Sequence, residues 1–130
     1  MEGRLVVEDD DYWCRISPLW GMPHHIENSF IDQNCRLAIF KGERNYFRML
    51  GYLDTADESS FSDALSKYWS LPVSVCSLRV FDSELGFDMI EKSSSYATRC
   101  SLRDAQLEDQ RWFLKGSFGT AQFHSGISNS

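Results

Sequence analysis

Three histidines and four cysteines hold the most reactive side chains of this sequence. His24 and His25 are adjacent, and their imidazoles could bind a metal ion together with Cys14, Glu27 or His124. Dedicated metal sites use regular spacings such as HxH, HExxH or paired CxxC, and none of these patterns occurs in the chain. Adjacent histidines in a loop are more often solvated than bound to metal. We therefore predict no metal site and no cofactor.

The cysteines suggest a second kind of chemistry, nucleophilic attack by a thiolate that a histidine activates. They are widely spaced and carry no local motif that marks one of them as activated: Cys14, Cys35, Cys76 and Cys100. Because Cys35 and Cys76 fall in apolar segments, reduced thiols packed as small hydrophobic side chains are the expected state. A small hydrolase or ligand-binding enzyme that uses Cys14, His24 or His25 is the alternative from this chemistry.

Other catalytic patterns give little support for an enzyme. The chain has no GxSxG, no P-loop and no GxGxxG sequence, and its eight glycines are dispersed. Carboxylates for acid–base chemistry occur in two groups, at residues 9–11 and at Asp82, Glu84, Asp88 and Glu91. Runs of acids are usually solvated surface, so we predict that they contribute to an electrostatic field and not to a reaction.

The charge of the chain narrows the class of partner. Thirteen Lys and Arg stand against 19 Asp and Glu, for a net charge of -6 and a pI near 4.9. An acidic chain repels phosphate backbones and anionic membranes, so we predict no direct nucleic-acid partner and no membrane partner. The only apolar stretch near the N-terminus is Leu5 to Val7, too short for a signal peptide, and a cytoplasmic location is expected.

An acidic run that leads into aromatic residues is the most informative feature. The candidate partner-binding residues are Glu8, Asp9, Asp10, Asp11, Tyr12, Trp13 and Trp20. Carboxylates pair with Arg and Lys of a basic protein, while Tyr and Trp supply rigid contact area. A solvated acidic surface without a partner explains the run about equally well. A second acidic group, between residues 54 and 63, is better explained by the dipole of a helix that starts there.

The apolar patterns predict two β-hairpins and a final strand. Residues 35–40 and 45–53 form the arms of the first hairpin around a KGER turn at residues 41–44. Residues 73–81 and 87–91 form the second around DSELG at residues 82–86. Residues 117–124 are predicted to add a short strand.

Two helices and one long loop complete the prediction. The serines at residues 59, 60 and 62 ahead of Asp63, with the apolar spacing within residues 61–69, predict a helix that cannot continue through Pro72. Ser101 and Asp104 resemble a capping box for a helix that runs to Leu114. Residues 17–33, with two prolines and no clear period, are predicted to form a long loop anchored by aromatic side chains.

These elements predict an α+β fold with one domain at residues 1–124 and a flexible serine-rich tail at residues 125–130. The sheet is expected to be mostly antiparallel, built from the two hairpins, with about two helices on one face.

Small size, acidity and surplus aromatic residues favour a stoichiometric protein binder over an enzyme. The specific hypothesis is a bacterial immunity or antitoxin-type inhibitor that covers the active site of a basic toxin, in the specific case a nuclease, with its acids in place of substrate phosphates. A secretion chaperone or adaptor that holds an extended client is the alternative among binding proteins.

Overall fold

The structure is a computed structural model that describes residues 3–50, 60–81, 96–112, 116 and 118–126. In chain order, the elements are helix α1 (Asp11–Cys14), a 3-10 helix (Leu19–Gly21), helix α2 (His24–Asp32), strand β1 (Leu37–Lys41), helix α3 (Glu43–Leu50), helix α4 (Phe61–Ser66), strand β2 (Ser74–Val80), helix α5 (Tyr96–Glu108) and strand β3 (Gly119–His124). The fold is α+β, as predicted.

The three strands form one mixed sheet in the order β1-β2-β3. β1 and β2 are parallel, with Ile39 opposite Cys76, and β2 and β3 are antiparallel, with Cys76 opposite Phe123. The chain reaches β2 from β1 by a crossover that contains α3 and α4. The prediction of a mostly antiparallel sheet was therefore wrong for the β1–β2 pair, because a parallel neighbour requires such a crossover and not a hairpin.

The first predicted hairpin fails at its second arm. Residues 45–53 were predicted as a strand from their aromatic content, but helix α3 occupies Glu43–Leu50. Its buried residues Tyr46, Met49 and Leu50 follow the i, i+3, i+4 spacing of a helix face. That spacing outweighed the strand preference of the aromatic side chains.

The predicted loop at residues 17–33 was also wrong, because it contains the 3-10 helix and α2. Pro23 occupies the N-cap of α2, where a proline loses no helical hydrogen bond. Within α2, Ile26 is buried and Phe30 packs against the same core, which is the i, i+4 spacing of one helix face.

The predictions for α4, α5, β2 and β3 agree more closely with the structure. Helix α4 starts at Phe61 as predicted but ends at Ser66, before the predicted end at Trp69. The Ser60 hydroxyl accepts a hydrogen bond from the Asp63 N–H at 3.1 Å. β2 and β3 lie within the predicted strands. α5, however, begins at Tyr96, so Ser101 is inside the helix and is not its cap. The return arm of the second hairpin, at residues 82–91, and tail residues 127–130 lie outside the described residues.

The core lies between the helices and one face of the sheet. Its buried residues come from the helices up to α4, from both parallel strands and from the segments that connect them: Tyr12, Leu19, Met22, Ile26, Ala38, Phe40, Tyr46, Met49, Leu50, Phe61, Ala64, Leu65, Trp69, Val73 and Val75. A smaller cluster joins Phe81, Leu102 and Trp112. In the described parts of the chain, no helix is long and apolar enough to cross a lipid bilayer.

Candidate anion-binding site

The acidic run lies at the start of α1, and its carboxylates differ in their surroundings. Glu8, Asp9 and Asp11 are exposed, whereas Asp10 is the N-cap of α1. One oxygen of Asp10 accepts from the Tyr12 N–H at 2.9 Å, and the other lies 2.7 Å from Nε2 of His25. The hydrogen bond to His25 and then the Tyr12 N–H lower the pKa of Asp10. Asp10 thus has a structural role, and the other three acids face solvent.

The aromatic residues of the run are not equally accessible. The Tyr12 ring is buried, its hydroxyl donates to the Pro18 carbonyl at 3.0 Å, and burial raises its pKa. Trp13 is half-buried, with its ring centroid 6.3 Å from that of Phe40. Trp20 is 46% exposed and packs on Tyr68 at a centroid distance of 4.4 Å. Of the three predicted anchors, Trp20 offers the most open surface.

A buried arginine fixes the end of α1. The Arg48 guanidinium donates to the carbonyls of Tyr12 at 3.1 Å and Trp13 at 2.7 Å, and also to that of Arg15. Carbonyls at the C-terminal end of a helix favour a nearby positive charge, and that of Tyr12 also accepts from the Arg15 N–H at 3.2 Å. Arg48 therefore holds the acidic segment against α3.

The predicted Cys–His and metal residues are dispersed. His24 Nδ1 lies 3.0 Å from Glu27, and Cys14 is exposed. His124 Nδ1 instead lies 2.7 Å from the Ser62 hydroxyl, and burial lowers the pKa of this imidazole. Within the described ranges, no three His, Cys, Asp or Glu side chains are grouped so that they could hold a metal ion.

A different place brings three charged residues to the lining of a largely apolar cavity, at the carboxyl ends of β1 and β2. The cavity has a volume of about 380 Å³ and is lined by Lys41, Gly42, Glu43, Leu78, Arg79, Val80 and Thr120. In α/β folds, ligands bind outside the carboxyl ends of parallel strands, because helices begin there and leave N–H groups without intrahelical partners. β1 and β2 are the parallel pair of this sheet.

Gly42 makes the turn from β1 into α3. Its φ of +94° lies in the region that glycine adopts without steric cost. The Gly42 N–H donates to the Leu78 carbonyl at 2.8 Å, and its carbonyl accepts the first helical hydrogen bond, from the Tyr46 N–H, at 3.1 Å. The Asn45 amide donates to the Lys41 carbonyl at 2.8 Å. These bonds direct the N-terminus of α3 towards the cavity.

The charges around the cavity favour an anion. Arg79 is buried, its Nε lies 3.1 Å from the Glu43 carboxylate, and its guanidinium covers the Tyr46 ring at 4.1 Å. Lys41 is exposed at the rim. Two cations and one carboxylate sum to +1, in a chain whose net charge is -6. The partial positive charge at the start of α3 adds to this field.

Sequence analysis missed this site because KGER was interpreted as a hairpin turn. The sequence does contain a signal for this site. An apolar strand is followed by a Lys-Gly pair and then by apolar residues at helical spacing, which is the order in which a strand leads into the N-terminus of a helix. Arg79 was not distinguishable, since it is a single cation in a strand.

The comparisons with known proteins find distant similarities. No family model matches the chain. Damage-control phosphatase ARMT1 of Mus musculus is 26% identical over 122 residues, which is 93% of this chain and 26% of that protein. The protein of the same name from Danio rerio is 25% identical over 116 residues, or 83% of this chain and 24% of that protein. The chain spans about a quarter of the length of the curated relatives it matches.

Proposed function

We propose that the cavity at the carboxyl ends of β1 and β2 binds the phosphate group of a substrate, and that the chain supplies this part of a phosphatase. The cavity itself carries the proposal, since it combines the parallel pair, the start of α3 and a positive charge. The similarity to damage-control phosphatases, which extends over most of the chain, supports the same conclusion.

Each group has a distinct role in binding. The Lys41 ammonium would contact phosphate oxygens from the rim as a mobile point charge. The first-turn N–H groups of α3 would donate to the same anion. Arg79 is held by Glu43 and by the Tyr46 ring, so it contributes a fixed charge beneath the site. These residues bind and orient the phosphate, and we assign them no bond-breaking step.

Titration of the chain with inorganic phosphate tests the proposal. Lys41→Ala should weaken phosphate binding about tenfold, which corresponds to about 1.4 kcal/mol, because it removes the exposed cation at the rim. Lys67→Ala removes an exposed lysine that does not line the cavity and is the matched control. Equal affinities of the wild type and Lys41→Ala, measured by calorimetry at low ionic strength, would contradict the proposal.

A second candidate function rests on the exposed N-terminal segment. Leu5 is 91% exposed and Val7 is 88% exposed, and they precede the solvent-facing carboxylates of Glu8, Asp9 and Asp11. Apolar side chains beside a run of acids suit a basic protein surface. We propose on this basis that the segment docks onto a basic protein partner. In the specific form of this hypothesis, the partner is a toxin nuclease that the chain inhibits.

Charge reversal in the acidic segment tests this second candidate function. The partner is captured at low salt from the host's lysate and must be basic, with a nuclease activity that the chain abolishes. Asp9→Lys with Asp11→Lys should then slow association by a factor that shrinks as salt rises. Asp104→Lys, an exposed position on α5, is the control. Association that is equally fast for both variants at low salt excludes the acidic segment from the interface.

A further inference from the structure

The cavity at the carboxyl ends of β1 and β2 has a charged side and an apolar side. Lys41 and Arg79 carry its positive charge, whereas Leu78 and Val80 line it with aliphatic side chains. Leu78 is 38% exposed and Val80 is 57% exposed, so both present apolar surface at this end of the sheet. The proposed phosphate site gives a role to the charged side and leaves the apolar side without one.

The strand register places the two sides next to each other. Lys41 of β1 is the direct partner of Leu78 of β2, and the side chains of directly opposed residues lie on the same face of a sheet. Val80 follows on that face, about 7 Å further along β2. Its partner on β3 is Gly119, which has no side chain to cover it. A ligand that contacts Lys41 therefore has Leu78 and then Val80 beside it.

The uncharged part of the lining offers few hydrogen bonds. Of the lining residues that the structure describes, Thr120 is the single uncharged one with a polar side chain. The Glu43 carboxylate lies 3.1 Å from Nε of Arg79, so it is already engaged. A polyol carries many hydroxyl groups, and each one that loses water without a new partner is costly. An apolar group has no such requirement and gains by covering Leu78 and Val80.

We propose that the site takes phosphate monoesters whose organic group is compact and apolar, with the phosphate at Lys41 and the organic group against Leu78 and Val80. This substrate class rests on the proposed phosphate site and makes it specific. The cavity volume of about 380 Å³ is near the lower end of the range of about 300–1,000 Å³ for small-molecule sites. It therefore suits a phosphate that carries one ring or a short chain.

Two phosphate esters with the same carbon ring test this class. Cyclohexyl phosphate has a bare hydrocarbon ring, inositol phosphate carries hydroxyl groups around that ring, and inorganic phosphate is the reference without a ring. Each is titrated into the chain by calorimetry at low ionic strength. We expect cyclohexyl phosphate to bind about tenfold more tightly than inorganic phosphate, the gain from burial of roughly 55 Å² of apolar surface. Inositol phosphate should bind no more tightly than inorganic phosphate.

Variants assign this gain to the apolar side of the cavity. Leu78→Asn combined with Val80→Thr makes both walls polar at nearly constant size. It should lower the ratio of cyclohexyl phosphate affinity to inorganic phosphate affinity from about ten to about two. Leu37→Asn combined with Ile39→Thr is the matched control, because these residues are 48% and 60% exposed on β1 but do not line the cavity. The control should keep the ratio of the wild type.

The outcomes separate the substrate class from the phosphate site. If inorganic phosphate binds and Lys41→Ala weakens it, but inositol phosphate binds as tightly as cyclohexyl phosphate, the substrate class is overturned and the phosphate site stands. A ratio that falls equally in the two double variants also overturns the substrate class alone. Cyclohexyl phosphate affinity that Lys41→Ala leaves unchanged overturns both, because the ring would then bind without the phosphate.

Discussion

Replacement of Arg48 by methionine should cost the protein about one third of an ordinary domain's stability. Arg48 is 2% exposed, and it bonds the carbonyls of Tyr12, Trp13 and Arg15. Methionine preserves most of the apolar stem of the side chain but none of its donors. The change therefore isolates the guanidinium hydrogen bonds from the packing of α3.

The magnitude follows from the burial of these three bonds. The Tyr12 carbonyl also accepts from the Arg15 N–H at 3.2 Å, so it loses one of two donors, which costs about 0.5–1.5 kcal/mol. The other two are partly buried, so water can replace the donor and each loses about 0.5–1.5 kcal/mol. The expected sum is about 3 kcal/mol, against a typical domain stability of about 5–15 kcal/mol.

Urea unfolding, followed by tryptophan fluorescence and far-UV circular dichroism, measures this loss. Arg44→Met is the matched control, because Arg44 lies on the exposed side of the same helix, and it should change the free energy of unfolding by less than about 0.5 kcal/mol. Arg48→Lys should fall between the two, since an ammonium keeps the charge but cannot span three carbonyls. Equal unfolding free energies for Arg48→Met and Arg44→Met would refute the role assigned to Arg48.

Two further predictions concern a backbone turn and a buried histidine. Gly42→Ala should lower the free energy of unfolding by about 1–2 kcal/mol, because φ at this position is positive. Gly21→Ala is the control and should have little effect, because the nearest atom lies 4.0 Å from an added Cβ. Burial lowers the pKa of His124 below the ordinary 6.5, so the unfolded chain binds the proton more tightly than the folded chain does. The stability of the fold should therefore decrease as the pH drops below about 6.5. His124→Asn should flatten that dependence between about pH 5 and 7 in thermal unfolding, whereas a slope identical to that of His24→Asn would contradict it.

The fold was predictable where one local signal dominated. The start of α4 at Phe61 was predicted from a group of serines and the apolar spacing, and β2 was predicted from a run rich in β-branched residues. The segment at residues 43–50 was not predicted, because its aromatic residues favour strands while their spacing favours a helix. The prediction for the pairing of β1 depended on whether residues 43–50 form a helix or a strand, since a helix directly after β1 rules out a hairpin there.

The candidate site was less accessible to sequence analysis than the fold. Lys41, Glu43 and Arg79 are ordinary charged residues in the sequence, and only the parallel register of β1 and β2 brings them together. Tyr12 illustrates the opposite case, since a tyrosine beside a run of acids suggests a surface anchor but is buried beneath Arg48. Whether a tyrosine next to an acidic run is buried depends on contacts with distant parts of the chain, and the neighbouring residues in the sequence do not reveal those contacts.

The most direct test of the phosphate site is an NMR titration of the isotope-labelled chain with inorganic phosphate. The account predicts that amide shifts concentrate at Lys41, Gly42, Glu43 and Arg44 and saturate as a single site. In Lys41→Ala they should saturate only at an about tenfold higher phosphate concentration. Shifts that instead spread over exposed arginines elsewhere, such as Arg15 and Arg103, and rise linearly without saturation would contradict it.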